Sequence, residues 1–129
     1  MRQNLSLTIT SLLSIILMTL HVADDIVRGF DRVGSIFFAV PIAVVWLYGT
    51  LVLAGRRPGY VVILIGSLLA MLVPVIHLRA TGAVATGEIS RSSGAFFFVW
   101  ALIALGVTAS FSVVLSAREL WRLGRSPAR

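Results

Sequence analysis

Residues 11–21 read SLLSIILMTLH, and residues 67–77 read SLLAMLVPVIH. Both stretches begin with serine and two leucines, and both end ten residues later at one of the two histidines in the chain, His21 and His77. Histidine changes charge near neutral pH more readily than any other side chain, and it is the commonest metal ligand in proteins. The matched stretches therefore indicate an internal duplication with a candidate functional residue at the end of each copy.

The composition predicts a membrane protein. Of 129 residues, 58% are hydrophobic and 12% are charged, and the mean hydropathy is +1.00. Four stretches without charged residues are each long enough to cross a bilayer, which takes about 20 apolar residues in a helix. The sequence predicts an all-α polytopic protein with one transmembrane domain, residues 1–129, and spans at about residues 4–28, 33–55, 59–78 and 94–120.

The repeat extends beyond the histidines. GSIFF at residues 34–38 and GAFFF at residues 94–98 open the second span of each half. Two halves with two spans each predict parallel helical hairpins in an up-down four-helix bundle, related by a pseudo-twofold axis along the membrane normal. That symmetry would bring His21 and His77 to the same depth on facing helices.

A spacing of three and four residues predicts the buried face of each histidine-bearing helix. Interior faces of membrane bundles collect small and polar residues. The first helix has such a seam at Asn4, Leu7, Ser11, Ser14, Met18, His21, Asp25 and Arg28. The third has one at Tyr60, Ile63, Ser67, Ala70, Pro74 and His77. Each histidine therefore continues a seam that is predicted to face the bundle interior, and Pro74 is predicted to kink the third helix.

The basic residues predict the orientation of the chain rather than a nucleic-acid partner. The net charge is +6, and all eleven basic residues are arginine. One side of the four-span arrangement has a single acid, Glu119, against seven arginines: Arg2, Arg56, Arg57, Arg118, Arg122, Arg125 and Arg129. By the positive-inside rule, both termini are predicted to be cytoplasmic, with the lipid bilayer as the main partner.

A polar group at the outer end of the first helix is the candidate site. His21, Asp24, Asp25 and Arg28 share one helix face, and a histidine and a carboxylate four residues apart can bind one cation. With a third ligand from a facing helix, His21, Asp25 and His77 are predicted to bind a divalent transition metal, namely zinc, copper or iron. Asp24, Glu88 or water would complete the shell, and Arg28 would balance the charge.

Two other interpretations of the same residues remain open. In the first, Asp24 or Asp25 pairs with Arg28 and orients His21, so the group only holds the bundle together. In the second, His21 and His77 are the axial ligands of a haem b in an electron-transfer protein. The chain has no cysteine, no lysine, no phosphate-binding loop and no His-Glu-x-x-His motif, which favours a protein that is not an enzyme.

The fourth span has a stripe of small residues that predicts close helix packing. The stripe consists of Ala104, Thr108, Ser112 and Ser116. Such a stripe serves either the bundle itself or contact with a partner. The second use would suit an accessory subunit in a homo-oligomer or a larger membrane complex.

The aromatic residues are interpreted as anchors at the two membrane interfaces. Phe96, Phe97, Phe98 and Trp100 fall near the predicted outer boundary, and Trp46, Tyr48 and Trp121 fall toward the inner one. The interpretation is made for most of these residues and not for every one of them.

Residues 20–29, which read LHVADDIVRG, and residues 93–98, which read SGAFFF, resemble small four-helix bacterial inner-membrane proteins without an assigned activity. The resemblance covers the whole chain and implies the inner membrane of a bacterium as its setting. It implies no function, and no functional residue is carried over from it.

Overall fold

Four α-helices make up the structure, a computed structural model that describes residues 4–29, 34–79, 87, 89 and 93–125. The helices are α1 (Leu5–Arg28), α2 (Gly34–Leu51), α3 (Arg57–Leu78) and α4 (Ala95–Arg125). The predicted all-α fold with four helices is confirmed. Three of them, α1, α3 and α4, are long and apolar enough to cross a membrane.

Local capping explains where α1 begins and ends. The Asn4 side chain accepts a hydrogen bond from the Leu7 backbone N–H at 3.2 Å, which satisfies one free donor of the first turn. Gly29 ends the helix in the left-handed conformation, with φ of 74°, where glycine has no steric penalty. Because α1 continues to Arg28, the four polar residues from His21 onward lie on one continuous helix.

The second helix is shorter than its predicted span. It ends at Leu51, and the chain turns before α3 begins at Arg57. At a rise of 1.5 Å per residue, its 18 residues extend about 27 Å. The turn is closed by a hydrogen bond of 3.0 Å from the Arg56 N–H to the Leu53 carbonyl, and Gly55 adopts a positive φ of 75° within it.

The helices pack around a shared interior, and each helix has particular neighbours. Helix α4 packs against α1 and α3, and α2 packs against the same two helices, whereas α2 and α4 do not pack together in the described part of the chain. The Asn4 side chain donates to Glu119 at 3.0 Å, and Ser14 donates to Thr108 at 3.1 Å. These two contacts run in opposite directions along α1 and α4, so the two helices are antiparallel. The pseudo-twofold relation between the halves stays a prediction.

The two predicted seams form most of the buried faces of α1 and α3. In α1, the buried seam residues are Leu7, Ser11, Ser14, His21 and Asp25. In α3, they are Tyr60, Ile63, Ser67, Ala70 and Pro74. Large apolar side chains such as Ile16, Leu68 and Leu72 remain exposed on the opposite faces. Each helix therefore turns small and polar residues inward and leaves its aliphatic face outward, as membrane bundles do.

Trp46 is a core residue and not an interface anchor, so that interpretation is wrong. Its side chain is 3% exposed, and its Nε1 donates to Ser11 Oγ at 2.9 Å. The Thr50 hydroxyl donates to the Trp46 carbonyl at 2.9 Å, so its only hydrogen is used. Ser11 must then donate across the 2.8 Å contact to Thr50 Oγ1. The three side chains form a closed set in which every polar hydrogen has an acceptor.

Replacement of Ser11 by alanine is expected to destabilise the protein by about 1–2 kcal/mol, because it leaves the buried Trp46 N–H without an acceptor. The thermal unfolding temperature in detergent measures the effect. Ser6→Ala, which changes an exposed serine of the same helix, is the matched control. Equal unfolding temperatures for the two variants would contradict this account of the hydroxyl network.

The small-residue stripe of α4 is largely used inside the chain. Ser112 and Ser116 are fully buried, and Thr108 accepts the hydrogen bond from Ser14. The Ser116 hydroxyl also donates to the Ser112 carbonyl at 2.6 Å, so it is satisfied within its own helix. A homo-oligomeric or larger complex formed through this stripe stays a prediction.

Candidate metal centre

The carboxyl-terminal ends of α1 and α3 bring His21, Asp25 and His77 together. Asp25 Oδ2 lies 3.2 Å from His21 Nε2 and 3.4 Å from His77 Nε2. One ligand atom from each residue lies within 4.8 Å of the other two. His21 and Asp25 are buried, with 3% and 7% of their surface exposed, and His77 is partly buried. The predicted proximity of these three residues is confirmed.

Two of the three separations between ligand atoms suit a shared metal ion. Zinc binds histidine nitrogens and carboxylate oxygens at about 2.0–2.2 Å in a tetrahedron, whose ligand atoms are therefore about 3.3–3.6 Å apart. The separations of 3.2 and 3.4 Å from Asp25 Oδ2 to the two nitrogens are close to that edge length. The donor set of two imidazoles and one carboxylate also suits copper and iron.

The orientation of His77 turns Nε2, the nitrogen proposed to bind a metal, toward Asp25. Its Nδ1 lies 3.0 Å from the carbonyl oxygen of Val73, one turn earlier in α3. A carbonyl oxygen only accepts hydrogen bonds, so Nδ1 carries the proton and donates. In the neutral ring, Nε2 then has a lone pair that points toward Asp25. Metal-binding histidines commonly hold their other nitrogen in this way.

Several buried polar atoms in this group have no hydrogen-bond partner among the described residues. Neither His21 Nδ1 nor His21 Nε2 makes a hydrogen bond, and Asp25 Oδ1 makes none. The 3.2 Å approach of His21 Nε2 to Asp25 is thus an ion-pair distance without hydrogen-bond geometry. An unsatisfied buried polar atom costs about 1–3 kcal/mol, and native proteins have few of them. A metal bound between Nε2 and the carboxylate would account for part of this cost.

Phe98 covers the two histidines and is a site residue that the sequence analysis missed. The imidazole rings meet nearly edge to face, with centroids 4.7 Å apart and an angle of 85°. The Phe98 ring lies 5.2 Å from His21 and 5.6 Å from His77, and it is 1% exposed. Its interpretation as an interface anchor is therefore wrong, although Phe96 and Phe97 are exposed.

The haem alternative does not fit this packing. Two axial histidines bind a haem iron from opposite faces of the porphyrin, which must pass between their rings. Here the two rings are in direct contact, and Phe98 fills the adjoining space. The geometry therefore favours a single ion over haem.

The neighbouring charges form a separate ion pair. Arg28 Nε donates to Asp24 Oδ2 at 2.9 Å, and Arg28 Nη2 donates to the Ser93 carbonyl at 3.1 Å. The arginine also lies over the Phe98 ring, with Cζ 5.4 Å from its centroid. The predicted pairing of an acid with Arg28 is thus present and involves Asp24, while Asp25 faces the histidines. Glu88, the other predicted auxiliary ligand, lies outside the described residues.

Asp25 is the acid of this group that faces the histidines, since Asp24 is paired with Arg28. A carboxylate beside two imidazole nitrogens is a donor set that suits a cation. The chain matches no known protein family, and no curated protein or solved structure is similar to it. Its function is therefore inferred from the chemistry of the site.

Proposed function

We propose that this protein is a small integral membrane protein that binds a transition-metal ion through His21, Asp25 and His77. The observation that carries the proposal is the carboxylate oxygen of Asp25, which lies within 3.4 Å of an imidazole nitrogen on each side. Two of these three residues also have buried polar atoms without a hydrogen-bond partner. A cation bound between these residues would satisfy those of the atoms that face it.

The ligand set favours a transition metal over calcium or magnesium. Calcium and magnesium take oxygen ligands, and calcium takes six to eight of them. Two imidazoles and a carboxylate suit zinc, copper or iron, with a fourth position for water, Asp24 or Glu88. The protein is proposed to bind or buffer the metal rather than to catalyse a reaction. The reason is that the described side chains next to the proposed ion are mainly the Phe98 ring and the ion pair of Asp24 with Arg28.

The proposed location is the extracytoplasmic boundary of a bacterial inner membrane, with both termini in the cytoplasm. His21 is 17 residues beyond Asn4, which corresponds to about 25 Å along α1. The exposed Arg56 and Arg57 lie at the start of α3, at the opposite end from His77. The positive-inside rule then gives the arginine-rich end to the cytoplasm and the metal site to the other side.

Metal analysis of the purified protein tests the proposal. Protein prepared without chelators or metal-affinity resin is expected to hold close to one transition-metal ion per chain. His77→Ala is expected to lose it, whereas Glu119→Gln, which changes an acid at the opposite end of the bundle, retains it. Replacement of the metal by cobalt should give visible absorption bands that are absent from His77→Ala. A metal-free, colourless wild-type protein that also fails to take up zinc, copper, iron or cobalt would contradict the proposal.

A further inference from the structure

Three neighbouring apolar cavities, together called the passage, lie beneath the middle and the first half of α2. Its largest part, about 280 Å³, lies between α2 and α3 and is lined by Val45, Val62 and Ile65 among others. A cavity of about 120 Å³ continues under the helix, and one of about 70 Å³ lies between α2 and α1. The first two share Trp46 and Gly66 in their walls. The last two share Met18, Ala39 and Ala43.

The passage exists because α2 is held mainly by its inner half. Trp46 and Thr50 are buried and bonded to Ser11, and a side chain on Gly49 would overlap Val62. In the outer half, Phe37 is 79% exposed, and the residues that face α1 are the small Ala39 and Ala43. Small side chains opposite Ala70 of α3 leave a gap that the bundle itself does not fill.

Among the described residues, the polar side chains that line the passage are Trp46 and Thr19, and both are already hydrogen-bonded. Trp46 Nε1 donates to Ser11, and the Thr19 hydroxyl donates to the Ile15 carbonyl at 2.8 Å. A buried water needs two to four polar partners, so water does not suit this space. Empty space would forfeit dispersion contacts along the walls. The fitting occupant is a hydrocarbon.

We infer that a hydrocarbon chain of a membrane phospholipid occupies this passage and packs under α2. The surrounding bilayer supplies such chains at the openings between α2 and its neighbours, since the faces of α2, α1 and α3 are apolar there. The inference rests on the membrane placement of the bundle and does not depend on a metal at His21. Because the contacts are made to the chain, binding is independent of the headgroup charge.

Native mass spectrometry in mild detergent tests this inference. The wild-type protein is expected to retain one added phospholipid, and to retain phosphatidylglycerol and phosphatidylethanolamine alike. Ala43→Phe, which fills the passage, is expected to lose it, while Val44→Phe, which changes an exposed neighbour, retains it. No retained lipid on the wild type, or equal retention by all three proteins, would overturn the inference. Retention of phosphatidylglycerol alone would also overturn it and would indicate headgroup binding by arginine.

Trp46 offers a second test that does not require the Ala43 variant to fold. Replacement of Trp100 and Trp121 by phenylalanine leaves Trp46 as the single tryptophan. Phospholipids brominated along the chain are expected to quench its fluorescence, and the water-soluble quencher acrylamide is not. Trp46 fluorescence that is unaffected by the brominated chains would show that none reaches the passage and would overturn the inference.

Discussion

Asp25→Asn is expected to lower the affinity for zinc by at least about 100-fold. Loss of a residue that only orients a metal ligand typically costs 10–100-fold, and among the described residues Asp25 is the carboxylate that faces both histidines. Asparagine keeps the shape of the side chain but removes its charge. Zinc affinity can be measured by competition with a chromophoric chelator in detergent.

The same variant separates metal binding from a purely structural network. A ligand at 100 times its dissociation constant stabilises the folded state by about 2.7 kcal/mol. The unfolding temperature of the wild type is therefore expected to rise on addition of zinc and to fall on addition of a chelator. The unfolding temperature of Asp25→Asn is expected to change with neither addition. If zinc shifts neither protein and Asp25→Asn is simply less stable, the residues hold the bundle together without a metal.

Asp24→Asn is the matched control for this experiment. Asp24 is adjacent in sequence but bonds to Arg28 and not to the histidines. Its replacement breaks an ion pair that is partly exposed, so the expected loss of stability is small, about 1 kcal/mol or less. The zinc-dependent rise in unfolding temperature should remain. Loss of that rise in Asp24→Asn as well as Asp25→Asn would show that Asp24 belongs to the binding site.

Helical periodicity and the two matched stretches of sequence were sufficient to predict that His21, Asp25 and His77 lie close together. His21 and Asp25 are four residues apart on one helix, and His77 ends the second of the matched stretches. Both seams also follow the same spacing, so their burial could be predicted without a structure. Periodicity did not distinguish Asp24 from Asp25, because residues three and four positions from His21 both lie near its face. The position of α3 decides which of them meets His77.

The roles of Trp46 and Phe98 could not be predicted from their own positions. An aromatic residue near the end of an apolar stretch has the same local pattern whether it faces lipid or the core. Trp46 is buried because Gly66 of α3 lets its ring approach, and an added side chain there would lie 2.6 Å from the indole. Phe98 is buried because the two histidine rings pack against it. The burial of Trp46 and that of Phe98 both depend on which helices pack against each other. The composition of the chain does not show this.

Gly59→Ala is expected to destabilise the bundle by about 1–3 kcal/mol, since it adds a methyl group to a space that is already filled. Gly59 is buried in the first turn of α3, against the turn that follows α2. A Cβ atom there would overlap the Leu53 carbonyl and would lie 2.9 Å from the Gly49 carbonyl oxygen. Both are backbone atoms, so no side-chain rotation relieves the clash, and the junction between α2 and α3 must open.

Gly124→Ala is the matched control for this prediction. It is the same substitution, but the expected change in stability has the opposite sign. Gly124 lies near the end of α4, and an added Cβ would meet nothing within 4 Å. Alanine is favoured over glycine in a helix by about 1 kcal/mol, so Gly124→Ala should leave stability unchanged or raise it. Alanine is also favoured over glycine at Gly59, which lies in a helix. The cost of the clash there must therefore be larger than this gain for the variant to be less stable. The stability of both variants can be measured by thermal unfolding followed by far-ultraviolet circular dichroism. If Gly59→Ala is as stable as Gly124→Ala, the α2–α3 junction is less closely packed than described.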